Sequence, residues 1–156
     1  MGDKVLVYQA VVISRLLYGL SSAWLNVAEA RRLNGFQANC FRRIAGIKPS
    51  FISRVSNKFV LQRTGQAELG RQLLKQQLLI YGRLARAPNN DVLRQLTFVP
   101  GTTQAATSRY VRRIGRPRNE WAVMLERETF KMHTQPSAII HDQLLWRRAV
   151  SSYCNT

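Results

Sequence analysis

The chain has 156 residues, enough for one ordinary domain or a domain with a trailing subdomain, and its 46% apolar content is that of a globular protein rather than a disordered one. Twenty-four Lys and Arg against eight Asp and Glu leave a net charge of +16, under which a soluble domain repels itself unless a polyanion neutralises it; nucleic acid is the first partner implied. Cys40 and Cys154 are too far apart in sequence for a disulfide framework or a CxxC metal pair to be indicated, so a reducing, intracellular setting, nuclear or cytoplasmic, is expected.

Nineteen of the cations are Arg, which favours planar, bidentate phosphate recognition over the diffuse attraction of a Lys-rich tail. A membrane surface is the competing partner, but it calls for cations on one face of an amphipathic helix, and here they recur in every segment. The apolar run Val5 to Leu20 carries Gln9 and Arg15 and falls short of the roughly 20 residues of a membrane span, so no membrane partner is expected.

Asp3 starts a helix whose following turns are apolar nearly all round, as in a buried helix, with a strand over Val5 to Val7 as the alternative. Gly19 and Ser21-Ser22 end it. Asn26 and Glu29 have capping-box spacing, and Ala30, Leu33, Phe36, Gln37, Cys40, Phe41 and Ile44 recur at threes and fours as the inward stripe of a second helix that ends at Gly46 and Pro49. Arg31, Arg32, Arg42 and Arg43 project elsewhere. No acidic residue occurs between Ala30 and Ala67, so these cations, with Lys48, Arg54, Lys58 and Arg63, form a basic surface.

Ser56 caps a short helix closed by Gly65, with Phe59, Val60 and Leu61 as the candidates to turn inward. A longer helix runs from Ala67 to about Arg86, and a short one from Asp91 to Leu96. Thr97 to Ser108 has loop composition without apolar period. Arg109-Tyr110-Val111-Arg112-Arg113-Ile114-Gly115-Arg116-Pro117-Arg118 is an Arg-rich arm that Gly and Pro keep from being one helix. Asn119 is the expected N-cap of a helix reaching Met132, and a last helix spans about Ala138 to Tyr153 with Ile140, Leu144, Leu145 and Val150 inward. The expected fold is mainly α: a helical bundle over 1–96, a flexible Arg-rich linker over 97–118, and a helical hairpin over 119–156.

Two-metal polymerases and nucleases need clustered carboxylates, and the acids here are scattered singly, several at helix starts. His133, His141, Cys40 and Cys154 lack the spacing of a zinc site, and no Gly-rich phosphate loop or nucleophile elbow occurs. No cofactor and no catalytic residue are expected. Gly115-Arg116-Pro117 partly matches a minor-groove arm, but Ile114 stands where that motif has its first Arg, so phosphate contact is the better expectation.

Several strings, in order, resemble the thumb and the connector after it in non-LTR (LINE-type) retrotransposon reverse transcriptases. They are Leu16-Leu17-Tyr18-Gly19 with Trp24; Leu33, Phe36 and Cys40 with Arg42-Arg43-Ile44 and Gly46-Ile47; Arg54-Val55-Ser56-Asn57 with Thr64-Gly65; Tyr81-Gly82-Arg83-Leu84-Ala85-Arg86; Gly115-Arg116-Pro117-Arg118 with Trp121; and Trp146-Arg147. Trp24 lies one residue farther from Gly19 than in that family, the acidic residue between them is absent, and Arg83 stands in place of the common His. The resemblance implies a thumb and connector without the Tyr-x-Asp-Asp palm or the endonuclease, hence a chain that is not an enzyme alone. It would grip a template-product duplex of RNA or DNA, or target DNA, through backbone phosphates. Arg42, Arg43, Arg54 and Lys58 are the expected duplex contacts, and Arg112, Arg113, Arg116 and Arg118 the expected contacts to RNA or target DNA. A domesticated, stand-alone DNA- or RNA-binding protein is the alternative.

Overall fold

The computed structural model describes residues 2–107 and 120–155. The protein is mainly α, 72% helical, with no strands among the described residues. Two compact units divide the chain: Met1–Ser21 with Leu25–Leu73, and Ser22–Trp24 with Leu74–Thr156. The division falls inside helix α6 (Leu69–Ala85) rather than at the loop composition after Leu96.

The first unit begins with α1 (Gly2–Tyr8), a π-helical turn (Gln9–Ile13) and α2 (Ser14–Leu20) in succession. Val5, Tyr8, Ile13 and Leu17 are buried, and the five-residue step from Tyr8 to Ile13 is the reason for the wide turn. A regular α-helix would rotate Ile13 off the inward face, and one π turn absorbs the extra residue. The expected all-round burial is not found, because only that face is covered; Leu6, Val7, Val11 and Tyr18 are exposed.

Helix α3 (Val27–Ile44) starts on the capping box read from the sequence: Asn26 Oδ1 accepts from Glu29 N at 3.0 Å, and Asn26 N donates to Glu29 Oε2 at 2.7 Å. Its amide side chains dock the start of α6. Gln37 is buried, donating from Nε2 to Ala67 O at 2.9 Å and accepting from Leu69 N at 2.8 Å, while Asn34 Oδ1 accepts from Gly70 N at 2.9 Å. These bonds satisfy N–H groups that the first turn of a helix leaves unpaired. After Gly46, whose φ of +66° suits a residue without a Cβ, come α4 (Ser50–Ser53) and α5 (Asn57–Thr64). Ser56 Oγ caps α5 by accepting from Phe59 N at 3.2 Å, and Gly65 closes it. Leu33, Phe41, Val60, Leu61, Leu69 and Leu73 join the buried face of the first helix in one core, where Tyr8 meets Phe41 edge-on at 5.1 Å.

In the second unit, α7 (Val92–Thr97) is capped by Asp91, whose side chain accepts from Arg94 N at 3.0 Å. Residues 97–107, expected as the first part of a linker, form a packed turn instead. Phe98 pairs with Ala105 in an isolated bridge, both are buried, and Phe98 lies edge-on to Tyr81 at 4.9 Å. Arg94, itself buried, explains why this stretch is anchored without apolar periodicity. Its guanidinium donates to Ala85 O and to Leu84 O at the end of α6, to Asn89 Oδ1 at 3.1 Å and to Thr102 O at 3.3 Å, and it lies 5.7 Å from the Phe98 ring centroid. The cation thus serves carbonyls at a helix C-terminus, where the helix dipole favours it.

Helix α8 (Trp121–Met132) has Glu120 at its N-cap, while the expected cap Asn119 lies outside the described residues. The single last helix of the sequence reading is two, α9 (Pro136–Ile140) and α10 (Gln143–Asn155). Asp142 divides them because its carboxylate accepts from Leu144 N at 2.8 Å and Leu145 N at 3.0 Å, starting a new helix. The restart changes the register. Trp146, Val150 and Cys154 at four-residue steps point inward, and Leu144 and Leu145, expected in the core, are exposed.

Tyr81-Gly82 and Trp146 meet in the core of this unit. Trp146 is fully buried, and its indole N–H donates to Leu78 O at 3.0 Å. A Cβ on Gly82 would lie 2.2 Å from Trp146 Nε1, so only glycine lets the indole reach the α6 backbone. Gly82→Ala therefore tests this contact by the sign of its effect. At an ordinary helix position alanine stabilises by roughly 1 kcal/mol, whereas here a loss of about 2 to 3 kcal/mol is expected in urea unfolding followed by tryptophan fluorescence. A stability gain would show that the indole does not pack on Gly82.

Candidate nucleic-acid interface

The basic surface expected between Ala30 and Ala67 lies within the first unit. Its four named contacts separate into two roles. Arg43, Arg54 and Lys58 are exposed, and Arg42 is only 2% exposed.

Arg42 occupies the last turn of α3 and turns inward beneath the chain that follows. One guanidinium nitrogen, Nη2, donates to Val55 O at 2.6 Å and Asn57 Oδ1 at 3.0 Å; the other, Nη1, donates to Ser53 Oγ at 3.3 Å and Lys48 O at 3.4 Å. Four acceptors from residues 48–57 are thereby gathered on one planar group, the geometry for which Arg differs most from Lys. A guanidinium so engaged is not a phosphate contact, and the expectation for Arg42 is corrected accordingly. Its place is that of a strut, holding α4 and the start of α5 against the end of α3. Sequence reasoning put it outside because an Arg-Arg pair at a helix end resembles a solvated basic edge, and nothing in the local pattern reveals that a later loop supplies carbonyls.

Arg54 sits on that loop in the left-handed region, at φ +56°, as the C-cap of α4 with its N–H donating to Ser50 O at 3.0 Å. A side chain in this conformation is uncommon and costs of order 1 kcal/mol, so the surrounding bonds must hold it. The Arg42 contacts to Ser53 and Val55, on either side of Arg54, are the bonds that do so.

The outward face of α3 differs from expectation in a second respect. The inward stripe includes Leu33, Gln37, Ala38 and Phe41, whereas Phe36 is 45% exposed. Arg32, Phe36, Asn39 and Arg43 are all exposed and fall at steps of four, three and four, so they form one stripe on the side away from the core. Its length is about 16 Å at the rise of an α-helix. Beyond α3, Phe51, Ile52 and Phe59 are exposed among Lys48, Arg54 and Lys58. Phe36 and Phe59, read as inward from spacing, thus belong to the surface with the cations. The spacing signal for the stripe is present in the sequence, but it is hidden by the equally good three-and-four pattern that includes Phe36.

Internal counter-ions for these cations are scarce. Glu29 is engaged in the α3 cap, and Glu68 accepts from Asn34 Nδ2 at 3.3 Å. In the second unit Glu126 accepts from Ala105 N at 3.0 Å, while Glu128 pairs with Lys131 at 2.7 Å and accepts from Tyr153 Oη at 2.8 Å. Among the described residues no group of three His, Cys, Asp or Glu is placed to hold a metal ion, and no helix is long and apolar enough to cross a membrane. In the second unit, burial, the nearby Arg147 and, in opposition, Asp142 act on Arg86, with the net effect of lowering its pKa; its Nη1 donates to Ile140 O at 2.6 Å. Arg112, Arg113, Arg116 and Arg118 lie outside the described residues. Comparison of the chain with family sequence profiles, with characterised proteins and with solved structures finds no match.

The separation of Arg42 from Arg43 is directly testable. Arg42→Ala strands several buried acceptors and is expected to cost about 2 to 3 kcal/mol in chemical denaturation, with Arg42→Lys recovering only part of it. Arg43→Ala, at an exposed position, is expected to stay within about 0.5 kcal/mol of the parent. Equal effects of the two alanines on stability would contradict the strut.

Proposed function

We propose that this chain is a nucleic-acid-binding module of the LINE-type reverse transcriptase thumb and connector kind, gripping template-product duplex through backbone phosphates and not catalytic alone. The observation that supports it most is the acid-free stretch between Ala30 and Ala67, whose cations Arg32, Arg43, Lys48, Arg54 and Lys58 are exposed. A surface of one sign with few carboxylates near it needs an external polyanion, and phosphate contacts position a duplex without reading its sequence. The arm with Arg112, Arg113, Arg116 and Arg118 adds cations for RNA or target DNA on this reading. The carboxylates of the first unit lie at helix starts or on a contact to Asn34.

Binding to a mixed-sequence duplex should then weaken steeply with salt, by roughly 0.9 logarithmic units per unit of log salt for each phosphate neutralised. Changing Arg43, Arg54 and Lys58 together to Ala should reduce that slope by roughly 2 to 3 with the fold intact by circular dichroism. A flat salt dependence of the unmodified chain would refute the proposal, and an unchanged slope in the triple variant would remove this surface from the contact.

A further inference from the structure

We propose that Phe36 and Phe51 are stacking platforms for unpaired bases, so that the substrate of the basic surface includes a single-stranded stretch and not paired duplex alone. The inference rests on the nucleic-acid reading above and narrows the substrate it takes. Phe36 is 45% exposed and Phe51 73% exposed, both in the first unit. Isolated exposed apolar residues are ordinary, but these two are bracketed by charge. Phe36 stands in the α3 stripe between Arg32 and Arg43 with Asn39 beside it, and Phe51 stands between Lys48 and Arg54.

At each of the two places an exposed phenyl ring has cations on either side of it along the chain, and a single strand offers a base beside each phosphate. A duplex offers the same phosphates, but its base faces are already stacked on one another and leave a phenyl ring nothing to cover. An unpaired base presents a free π-face together with its phosphate, and the Asn39 amide, beside Phe36 on the same stripe, has a donor and an acceptor for a base edge. Preorganisation favours Phe51 in particular. It lies in the four-residue helix α4, whose last residue Ser53 accepts from the buried Arg42 at 3.3 Å and whose C-cap Arg54 is held at φ +56°. The backbone that carries the ring is therefore tied down at its C-terminal end, which lowers the ordering entropy lost there when a base covers the ring. Phe51 with Ile52 inside a basic rim also has the chemistry of a membrane-surface contact, and the experiment separates that occupant from a nucleic acid.

The full chain is titrated by fluorescence anisotropy against three DNA probes of equal phosphate number: a mixed-sequence single strand, an abasic strand, and a fully paired duplex. Phe36→Ala with Phe51→Ala is expected to weaken binding to the base-bearing strand by about thirtyfold or more, about fivefold or more for each ring. Binding to the abasic strand and the duplex, and the salt slope on every probe, are expected to stay unchanged. Tryptophan at both positions should keep or improve single-strand binding. Equal losses on all three probes, or no loss on the base-bearing strand, would overturn the inference while salt-dependent binding of the parent chain to the abasic strand leaves the phosphate reading standing. Absence of salt-dependent binding to any probe overturns both. Loss confined to vesicles of anionic phospholipid would assign the phenylalanines to a membrane surface and likewise overturn the inference.

Discussion

The surface of the first unit depends on one buried cation. Arg42 is withdrawn from water without a carboxylate partner, and its charge is met by two backbone carbonyls, a hydroxyl and a side-chain amide oxygen. An isolated charge in a protein interior is costly, and neutral dipoles compensate it only when several converge in good geometry. Convergence demands that residues 48–57 wrap back over the end of α3, and the fold of that loop follows from the demand. Its Nε remains without a partner, so compensation is incomplete, and the position at the C-terminal turn of α3 adds the favourable field of the helix dipole.

The same device recurs in the second unit. Arg94 gathers the carbonyls at the end of α6 together with Thr102 O, as Arg42 gathers those after α3. Two arginines of a strongly basic chain are thus internal struts, and total charge overstates the number of cations available to a partner. What remains outside is more informative than the total: Arg32 and Arg43 on α3, Lys48 and Arg54 on either side of α4, and Lys58 on α5 are exposed, as are Phe36, Phe51 and Phe59.

Two of the strings that suggested a reverse transcriptase connector acquire a physical reason in the second unit. Gly82 and Trp146 are 64 positions apart, and each explains the other: the missing Cβ makes room for the indole, whose N–H then bonds Leu78 O. Tyr81, beside Gly82, packs between Phe98 and Trp121, and burial followed by the Glu126 charge pushes its phenol well above the ordinary tyrosine range. The residue types are therefore accounted for by packing, independent of any substrate.

Local signals that act within one turn were legible directly. The Asn26 and Glu29 capping box, the Ser56 cap, Asp91 at the start of α7 and the closing glycines Gly46 and Gly65 all formed as their spacing implied, because their partners lie within four residues. Helical class followed from the same rules. The face each helix buries followed only in part, since a three-and-four pattern has several phases: Leu33, Gln37, Phe41, Val60, Ile140 and Val150 are buried as expected, but Phe36, Phe59, Leu144 and Leu145 are exposed, and Ala38, Arg42 and Trp146 took inward places. The break at Asp142 and the five-residue step met by a π turn shifted the phase in ways that periodicity alone does not contain. Sequence by itself determined the helical class, the caps at Asn26 and Ser56 and an excess of positive charge. Which arginines are struts and which stay exposed was decided only by tertiary structure, because a guanidinium turns inward where distant carbonyls converge, and that convergence is a property of the folded chain.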